Sequence, residues 1–217
     1  MSAIQEKIAV IGGTGHLGAA LAVRWAKAGL TVTLGSRDGA RAASAAAAFG
    51  HGLTGAANRV AAAGADIVVI AVPFAAQEST LADLADVLDG KIVVDTTVPL
   101  VPPKVMRVKL PEEGSAAARA RRLLGEGVTL VSAFHNVAAH KLATDETVDC
   151  DVLVFGDDKD ARARVVALTK AAGLRGVHGG ALVNSAAAEA LTSILIFINR
   201  TYGADGAGLR ITGLAAE

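Results

Sequence analysis

The chain has a single cysteine, Cys150, among 217 residues. That excludes an internal disulfide framework and a cysteine-built zinc site. Neither sign of charge is in excess: Lys+Arg and Asp+Glu both number 21, for a formal net charge of zero. A neutral chain has no bulk field drawing it to nucleic acid or to an anionic membrane, so neither is expected as a partner. Long hydrophobic runs are missing as well. Hydrophobic residues make up 52% of the sequence, yet no uninterrupted apolar stretch reaches the ~18 residues of a membrane span. The start, MSAIQEKIAVIGG, has no basic region followed by a cleavable apolar segment, so a cytoplasmic location is expected. Tyr202 is the sole tyrosine. The position four residues on is Gly206, so the Tyr-x-x-x-Lys pair that short-chain reductases use to deliver a proton is absent.

What is present is an alternation of short β-branched runs with alanine-rich stretches. Strands are expected at Ile8–Ile11, Thr31–Leu34, Ile67–Val72, Ile92–Asp95, Thr129–Ala133, Val152–Phe155 and Arg175–His178. Helices are expected at Leu17–Ala28, Ala40–Phe49, Ala75–Leu88, Ser115–Leu124, Lys159–Ala172 and Ser185–Tyr202. Several strands are apolar on both faces, as strands between two helix layers are. The pattern predicts an α/β fold: a Rossmann-type, doubly wound and mainly parallel sheet with a small C-terminal portion. The division expected is a dinucleotide-binding domain over residues 1–145 and a smaller portion over 146–217. The proline-containing Val98–Pro111 stretch is the longest irregular segment and reads as a loop over a site.

Gly13, Gly15 and Gly18 form G-x-G-x-x-G directly after the first strand, at the head of a helix. The first glycine suits a tight turn, the second lets a pyrophosphate approach the backbone, and the third allows close helix–strand packing. The amides and dipole of the helix starting near Leu17 then favour an anion. The plainer alternative is a glycine-rich turn that merely packs; the strand–turn–helix context favours dinucleotide binding over it. An NAD site places Asp or Glu about 20 residues beyond these glycines, on the ribose hydroxyl. Here the second strand ends in Gly35-Ser36-Arg37, with Arg41 one turn further and Thr14 in the facing loop. Guanidinium forks suit a 2′-phosphate. Asp38 competes: shifted by one position it is an NAD carboxylate, whereas at the start of Ala40–Phe49 it caps a helix. The charge pattern favours NADP(H).

Three segments follow strands and are expected to converge on the nicotinamide, at the carboxyl edge where such sheets bind ligands. They are Val72–Phe74, with Pro73 at its centre, then Val98 and Pro99, then His135–Ala139. Only His135 and His140 in this lining titrate near neutral pH. His135 is a possible proton donor, but a lone loop histidine is more often a hydrogen-bonding group. A site that passes hydride between two rings needs positioning and water exclusion rather than an acid.

In order and spacing, several stretches resemble the F420-dependent NADP reductases. They are GGTGHLG (12–18), GSR (35–37), AVP (71–73), KIVVDTTVPL (91–100), SAAARARRLL (115–124), VSAFHNVAAHKL (131–142), DCDVLVFGDD (149–158) and GLRI (208–211). The resemblance covers nearly the whole chain. It implies hydride transfer between NADP(H) and the deazaflavin coenzyme F420, a small-molecule co-substrate. It implies a nucleotide loop of Gly13, Thr14, Gly15, His16, Leu17 and Gly18, and a 2′-phosphate held by Thr14, Ser36, Arg37 and Arg41. It further implies a deazaflavin ring contacted by the backbone around Ala139 and Ala207 and lined by His135 and Val137, beside the nicotinamide segments with Val72, Pro73, Val98 and Pro99. Two segments depart from the family's usual pattern: His135–His140 lacks a proline, and residues 101–114 read VPPKVMRVKLPEEG. Two other functions fit the same residues. One is NADPH-dependent reduction of a flavin, imine or small carbonyl compound, as in pyrroline-carboxylate reductases; the other is a non-catalytic NADP(H) sensor. The Ser185–Tyr202 helix is apolar over so broad a surface that a homodimer built partly on it is expected.

Overall fold

The computed structural model describes residues 6–214. Residues 1–5, read above for the absence of a leader, and 215–217 lie outside the described residues. Eight strands form one sheet. They are β1 (Ile8–Ile11), β2 (Val32–Ser36), β3 (Thr54–Ala57), β4 (Ile67–Ile70), β5 (Ile92–Asp95), β6 (Thr129–Ser132), β7 (Asp151–Gly156) and β8 (Arg175–Gly180). The spatial order is β3-β2-β1-β4-β5-β6-β7-β8. Every neighbouring pair is parallel except β6–β7.

The helices are α1 (His16–Lys27), α2 (Gly39–Phe49), α3 (Asn58–Ala63), α4 (Phe74–Leu88), α5 (Ala116–Leu124), α6 (Ala139–Leu142), α7 (Lys159–Ala171) and α8 (Ser185–Tyr202), with a 3-10 turn at Leu182–Asn184. Two cores follow from this layering. One contains Leu21, Trp25, Val94, Phe134 and Val165 on one sheet face; the other contains Ile70, Leu81, Leu84 and Ala120 on the opposite face. The expected doubly wound, mainly parallel sheet is therefore the observed fold. Strands β1, β4 and β5 are buried at every position, which is why their sequences, IAVI, IVVI and IVVD, are near-continuous apolar runs rather than alternating ones.

Two elements have no counterpart in the sequence reading. Strand β3 is TGAA and helix α3 is NRVAAA, both too short and too poor in large apolar residues to show a period. Gly55 explains how β3 forms: a Cβ there would lie 2.2 Å from the Ala42 carbonyl of α2. Close backbone packing replaces side-chain packing. The four-residue α6 was also not anticipated.

The antiparallel step shapes the carboxyl edge of the sheet. Ser132, the last residue of β6, pairs with Phe155 near the end of β7, so Asp151–Val154 run beyond the end of β6. Strands β7 and β8 thus stand above the edge as a wall. The C-terminal segment is pinned to that wall. Asp151 accepts two bonds from Arg175, at 2.7 and 2.6 Å, and one from the Ile211 amide at 2.6 Å; its own amide donates to the Leu209 carbonyl at 2.7 Å.

Residues Leu182–Tyr202 are long and apolar enough to cross a membrane by length and composition alone. That helix carries the buried Glu189 and Ser193 and bonds to α5 and to the His135 loop, which ties it into the fold.

Candidate functional site

The loop between β1 and α1 is shaped by its glycines. Gly12 takes φ +80, and a Cβ there would lie 2.5 Å from the Ala71 carbonyl oxygen. Gly13 and Gly18 are closed to side chains by the Val10 and Gly12 carbonyls, at 2.7 and 2.6 Å. Gly15 differs: a Cβ there would meet only the Gly12 oxygen, at 3.2 Å, and the residue is exposed. Its missing side chain leaves space outside the fold rather than inside it. Gly15 is also the N-cap of α1, so no side chain caps that helix, and its first turn has no acidic residue. By contrast Asp38, Ser115 and Asp158 cap α2, α5 and α7. The α1 amides are left to an outside anion, the arrangement that binds phosphate at helix N-termini.

Around that loop lies a cleft of about 400 Å³ lined by Gly12, Thr14, Gly15, Ser36, Arg37, Arg41, Asn58, Val72 and Pro73 among others. Thus Thr14, Gly15, Ser36, Arg37, Arg41, Val72 and Pro73, distant in sequence, share one concavity. Arg37 and Arg41 are exposed, and neither meets a carboxylate among the described residues. Asp38 does not occupy the place of an NAD carboxylate. Its Oδ1 accepts from the Ala40 and Arg41 amides at 2.9 and 3.1 Å, so it serves as the cap of α2. Two free guanidiniums, two hydroxyls and an uncapped helix N-terminus fit a dinucleotide with an extra phosphate.

Asn58 was not anticipated. Its Oδ1 is buried without a partner, and it sits 3.0 Å from where a Gly35 Cβ would be. Only the last glycine of the strand hints at it. His16 lines the far side of the loop, facing a second cleft of about 500 Å³ with Val23, Lys27, Phe49 and His51. Leu17 packs partly buried on the core.

The remaining expected residues lie further along the carboxyl edge. Val98 is half-buried and Pro99 buried. They follow Asp95, whose carboxylate accepts from the Thr97 amide at 3.0 Å and from Gln77 Nε2 at 2.5 Å. Burial raises the Asp95 carboxyl to about 6. Val137 and Ala139 are half-buried at the start of α6, while Ala207 lines a cavity of about 340 Å³ with Ala138, Cys150, Gly206 and Gly208. The Ala207 amide donates to Asn199 Oδ1 at 2.7 Å, which holds this turn against the end of α8.

His135 is only 6% exposed. Its Nε2 lies 2.7 Å from Ser132 Oγ, and burial lowers its pKa to about 4, so the ring is neutral at pH 7. The neighbouring Phe134 has φ +66, uncommon outside glycine, and its ring meets Trp25 edge-on at 5.9 Å. Local strain of this kind persists only where the surroundings hold it.

Behind the edge is a buried polar network that no sequence motif announced. Glu189 of α8 accepts from the Ala116 and Ala117 amides, at 2.6 and 3.1 Å, and from Ser185 Oγ at 3.1 Å. It binds the N-terminus of α5 from another element. Burial raises its carboxyl to about 7, the two amides opposing that shift. Asn136 Nδ2 donates to the Ala188 carbonyl at 2.9 Å, and Thr192 Oγ1 to the His135 carbonyl at 3.0 Å. Helix α8 therefore buttresses the third segment of the edge.

A glycine loop opening onto a phosphate-adapted cleft, at the carboxyl edge of a sheet ordered 3-2-1-4-5-6, defines a nucleotide-binding protein of the Rossmann class. The particular family follows from comparison with known proteins. Residues 7–99 match the family model for NADP oxidoreductase, coenzyme F420-dependent. The chain is 42% identical to the F420-dependent NADP reductase of Methanothermobacter thermautotrophicus, over 97% of each protein. It is 37% identical to that of Methanocaldococcus jannaschii, over 96% of this chain and 99% of the relative. A crystal structure from Arthrobacter sp. FB24, provisionally assigned to the same reductases, superimposes with a TM-score of 0.81 at 26% identity, covering 95% of this chain and 99% of that one. The chain belongs to the F420-dependent NADP reductase family.

Proposed function

We propose that this protein is an oxidoreductase that transfers hydride between NADP(H) and coenzyme F420. The observation that carries the cofactor half is the cleft in which Thr14, Ser36, Arg37 and Arg41 come together while Asp38 is engaged as a helix cap. The acceptor half rests on the whole-length likeness to reductases of that name. When bound together, the two coenzymes would supply the hydride donor and acceptor, with one proton taken up for each hydride passed to F420. The chain's own task is binding, orientation and exclusion of water. Gly13, Gly15 and the α1 amides hold the pyrophosphate; Arg37 and Arg41 neutralise the 2′-phosphate. Val72, Pro73, Val98 and Pro99 floor the nicotinamide, and Val137, Ala139 and Ala207 bound the deazaflavin.

His135 supports this reading by its position. A neutral, buried ring held by Ser132 orients the 135–139 loop and is ill placed to pass protons to a carbonyl or imine. Residues 146–214 would complete the acceptor side, with Cys150, just before β7, and Gly206 and Gly208 lining the cavity that includes Ala207. Helix α8 leaves Ile194, Phe197 and Tyr202 exposed at 45%, 52% and 78%, and these form the contact of a cytoplasmic homodimer. The deciding experiment is oxidation of NADPH with F420, FMN and cyclic imines offered separately. Turnover with F420 alone is expected; turnover with FMN or an imine in preference, or tight NADPH binding with no turnover, overturns the reading.

A further inference from the structure

The segment between Val98–Pro99 and α5 is not accounted for by the hydride site. It leaves β5 at the carboxyl edge of the sheet and enters α5 at Ser115, and both ends are tied to Gln77, through Asp95 and the Ala116 carbonyl. Within six residues it carries Lys104, Arg107 and Lys109, all exposed. None of the three meets a carboxylate among the described residues. The local acids are Glu113, which Arg122 engages at 2.6 Å, and the exposed Glu112. In a chain of zero net charge, this is a local surplus of cations.

The segment is also shaped and anchored. Residues 101–104 and 107–109 enclose a concavity of about 330 Å³. The Arg107 amide bonds to the Lys104 carbonyl at 3.0 Å, forming a turn that has one cation at each end. Ser193 Oγ of α8 donates to the Arg107 carbonyl at 3.4 Å. The same helix, one residue earlier, donates from Thr192 Oγ1 to the His135 carbonyl. Helix α8 thus fixes the basic turn beside the loop that bounds the acceptor side.

The acceptor has a part that no residue has yet been assigned to hold. Beyond its ring and ribityl chain, coenzyme F420 carries a phosphodiester followed by glutamyl carboxylates. This is a flexible chain of anions, chemically matched to a cluster of unpaired ammonium and guanidinium groups. We propose that Lys104, Arg107 and Lys109 form a subsite for this anionic tail, separate from the residues that hold the ring. The proposal rests on F420 being the acceptor.

The test is equilibrium binding, read by deazaflavin fluorescence, of F420 with its polyglutamyl tail and of the tailless ring–ribityl compound. Native protein is compared with the Lys104→Ala, Arg107→Ala, Lys109→Ala triple variant. Native protein is expected to bind the tailed compound roughly five- to tenfold tighter at low ionic strength, as several exposed charge pairs acting together would give. That gap should close as salt rises, because exposed charges are screened. In the triple variant the gap should vanish while the Kd for the tailless compound and for NADPH stays within about twofold, as expected for residues that meet only the tail charges. KM values for the two acceptors should follow the same pattern. If the triple variant loses its native melting transition, Lys104→Ala and Lys109→Ala separately should each narrow the gap. A gap that survives in the variants, or none in the native protein while both compounds bind, overturns the subsite and leaves the acceptor assignment standing. Failure of native protein to bind either compound overturns both.

Discussion

The two ends of the sheet handle polar groups in opposite ways. At the β3-β2-β1 end, Arg37 and Arg41 are exposed and without carboxylate partners among the described residues, the α1 helix has no side-chain cap, and Gly15 leaves an open space. At the β6-β7-β8 end, polar groups are buried and matched. Arg175 holds Asp151, Glu189 holds the α5 amides, Asn136 is bonded to α8, and His135 is neutral against Ser132. Even within α1 the contrast is sharp, since Arg24 donates to four backbone carbonyls, those of Leu142, Thr144, Glu146 and Ala172. The polar groups of the first end are left open to an outside ligand; those of the second are matched by the chain itself. Substitution of the ligand-facing groups at the first should therefore change affinity without changing stability, and substitution in the buried polar network at the second should do the reverse.

Gly15→Val is the severest test of that contrast. A side chain there projects into the space of the pyrophosphate, so NADPH binding should fall by at least about a hundredfold, while circular dichroism stays native. Gly18→Val, whose Cβ would lie 2.6 Å from the Gly12 carbonyl, should instead unfold or grossly destabilise the protein. If Gly15→Val binds NADPH normally, the glycines only shape a turn.

Arg37→Ala follows in size. Loss of a charge-assisted bond to the 2′-phosphate should weaken NADPH roughly ten- to a hundredfold and leave NADH almost unchanged. The melting temperature should not move. Equal loss for both cofactors would remove Arg37 from phosphate recognition.

At the other end, Asp151→Ala deprives Arg175 and the Ile211 amide of their shared acceptor. A loss of about 2 kcal/mol is expected, since only one partner is fully buried, and denaturant unfolding would measure it. NADPH affinity should stay native. The Arg175 guanidinium holds the Asp151 carboxyl below the usual range, so the native protein should lose this stabilisation as pH falls through that depressed pKa.

Glu189 has the opposite sign. Its carboxyl is raised to about 7 in the fold, whereas in the unfolded chain it ionises near its ordinary value of 4.5. Between those values the unfolded state releases the proton and the native state keeps it, so stability falls as pH rises from about 4.5 to 7. Glu189→Gln should flatten this segment of the stability–pH curve, removing a slope of up to roughly 1 kcal/mol per pH unit. An unchanged slope would place the raised carboxyl elsewhere.

The smallest effect is expected at His135. His135→Ala should lower kcat by less than the ~100-fold that marks loss of a general acid, and by less than Ala139→Leu, which adds bulk where we propose the acceptor ring. The reverse ranking, with NADPH affinity native in both, would assign a proton to His135 and point to a carbonyl or imine substrate.

The sequence by itself determined the fold class, most of the strands and helices, and the glycine loop between β1 and α1. Buried parallel strands must be apolar on both faces, so the segments at 8–11, 67–70 and 92–95 announce themselves in one dimension. A phosphate loop must be glycine-rich between a strand and a helix, and a cap such as Asp38 must stand at a helix start. These constraints act between residues close in the chain, and their signal survives in a linear reading. Tertiary structure alone decided the rest. Strand β3 packs on α2 because Gly55 lets their backbones touch, which leaves no hydrophobic period to read. Glu189 binds amides 72 and 73 residues away, and Asp151 captures an amide 60 residues on. His135 became a neutral wall residue rather than a titrating one because the fold removed it from water. Burial and pairing belong to neighbours brought from afar, and no local pattern of side chains encodes them.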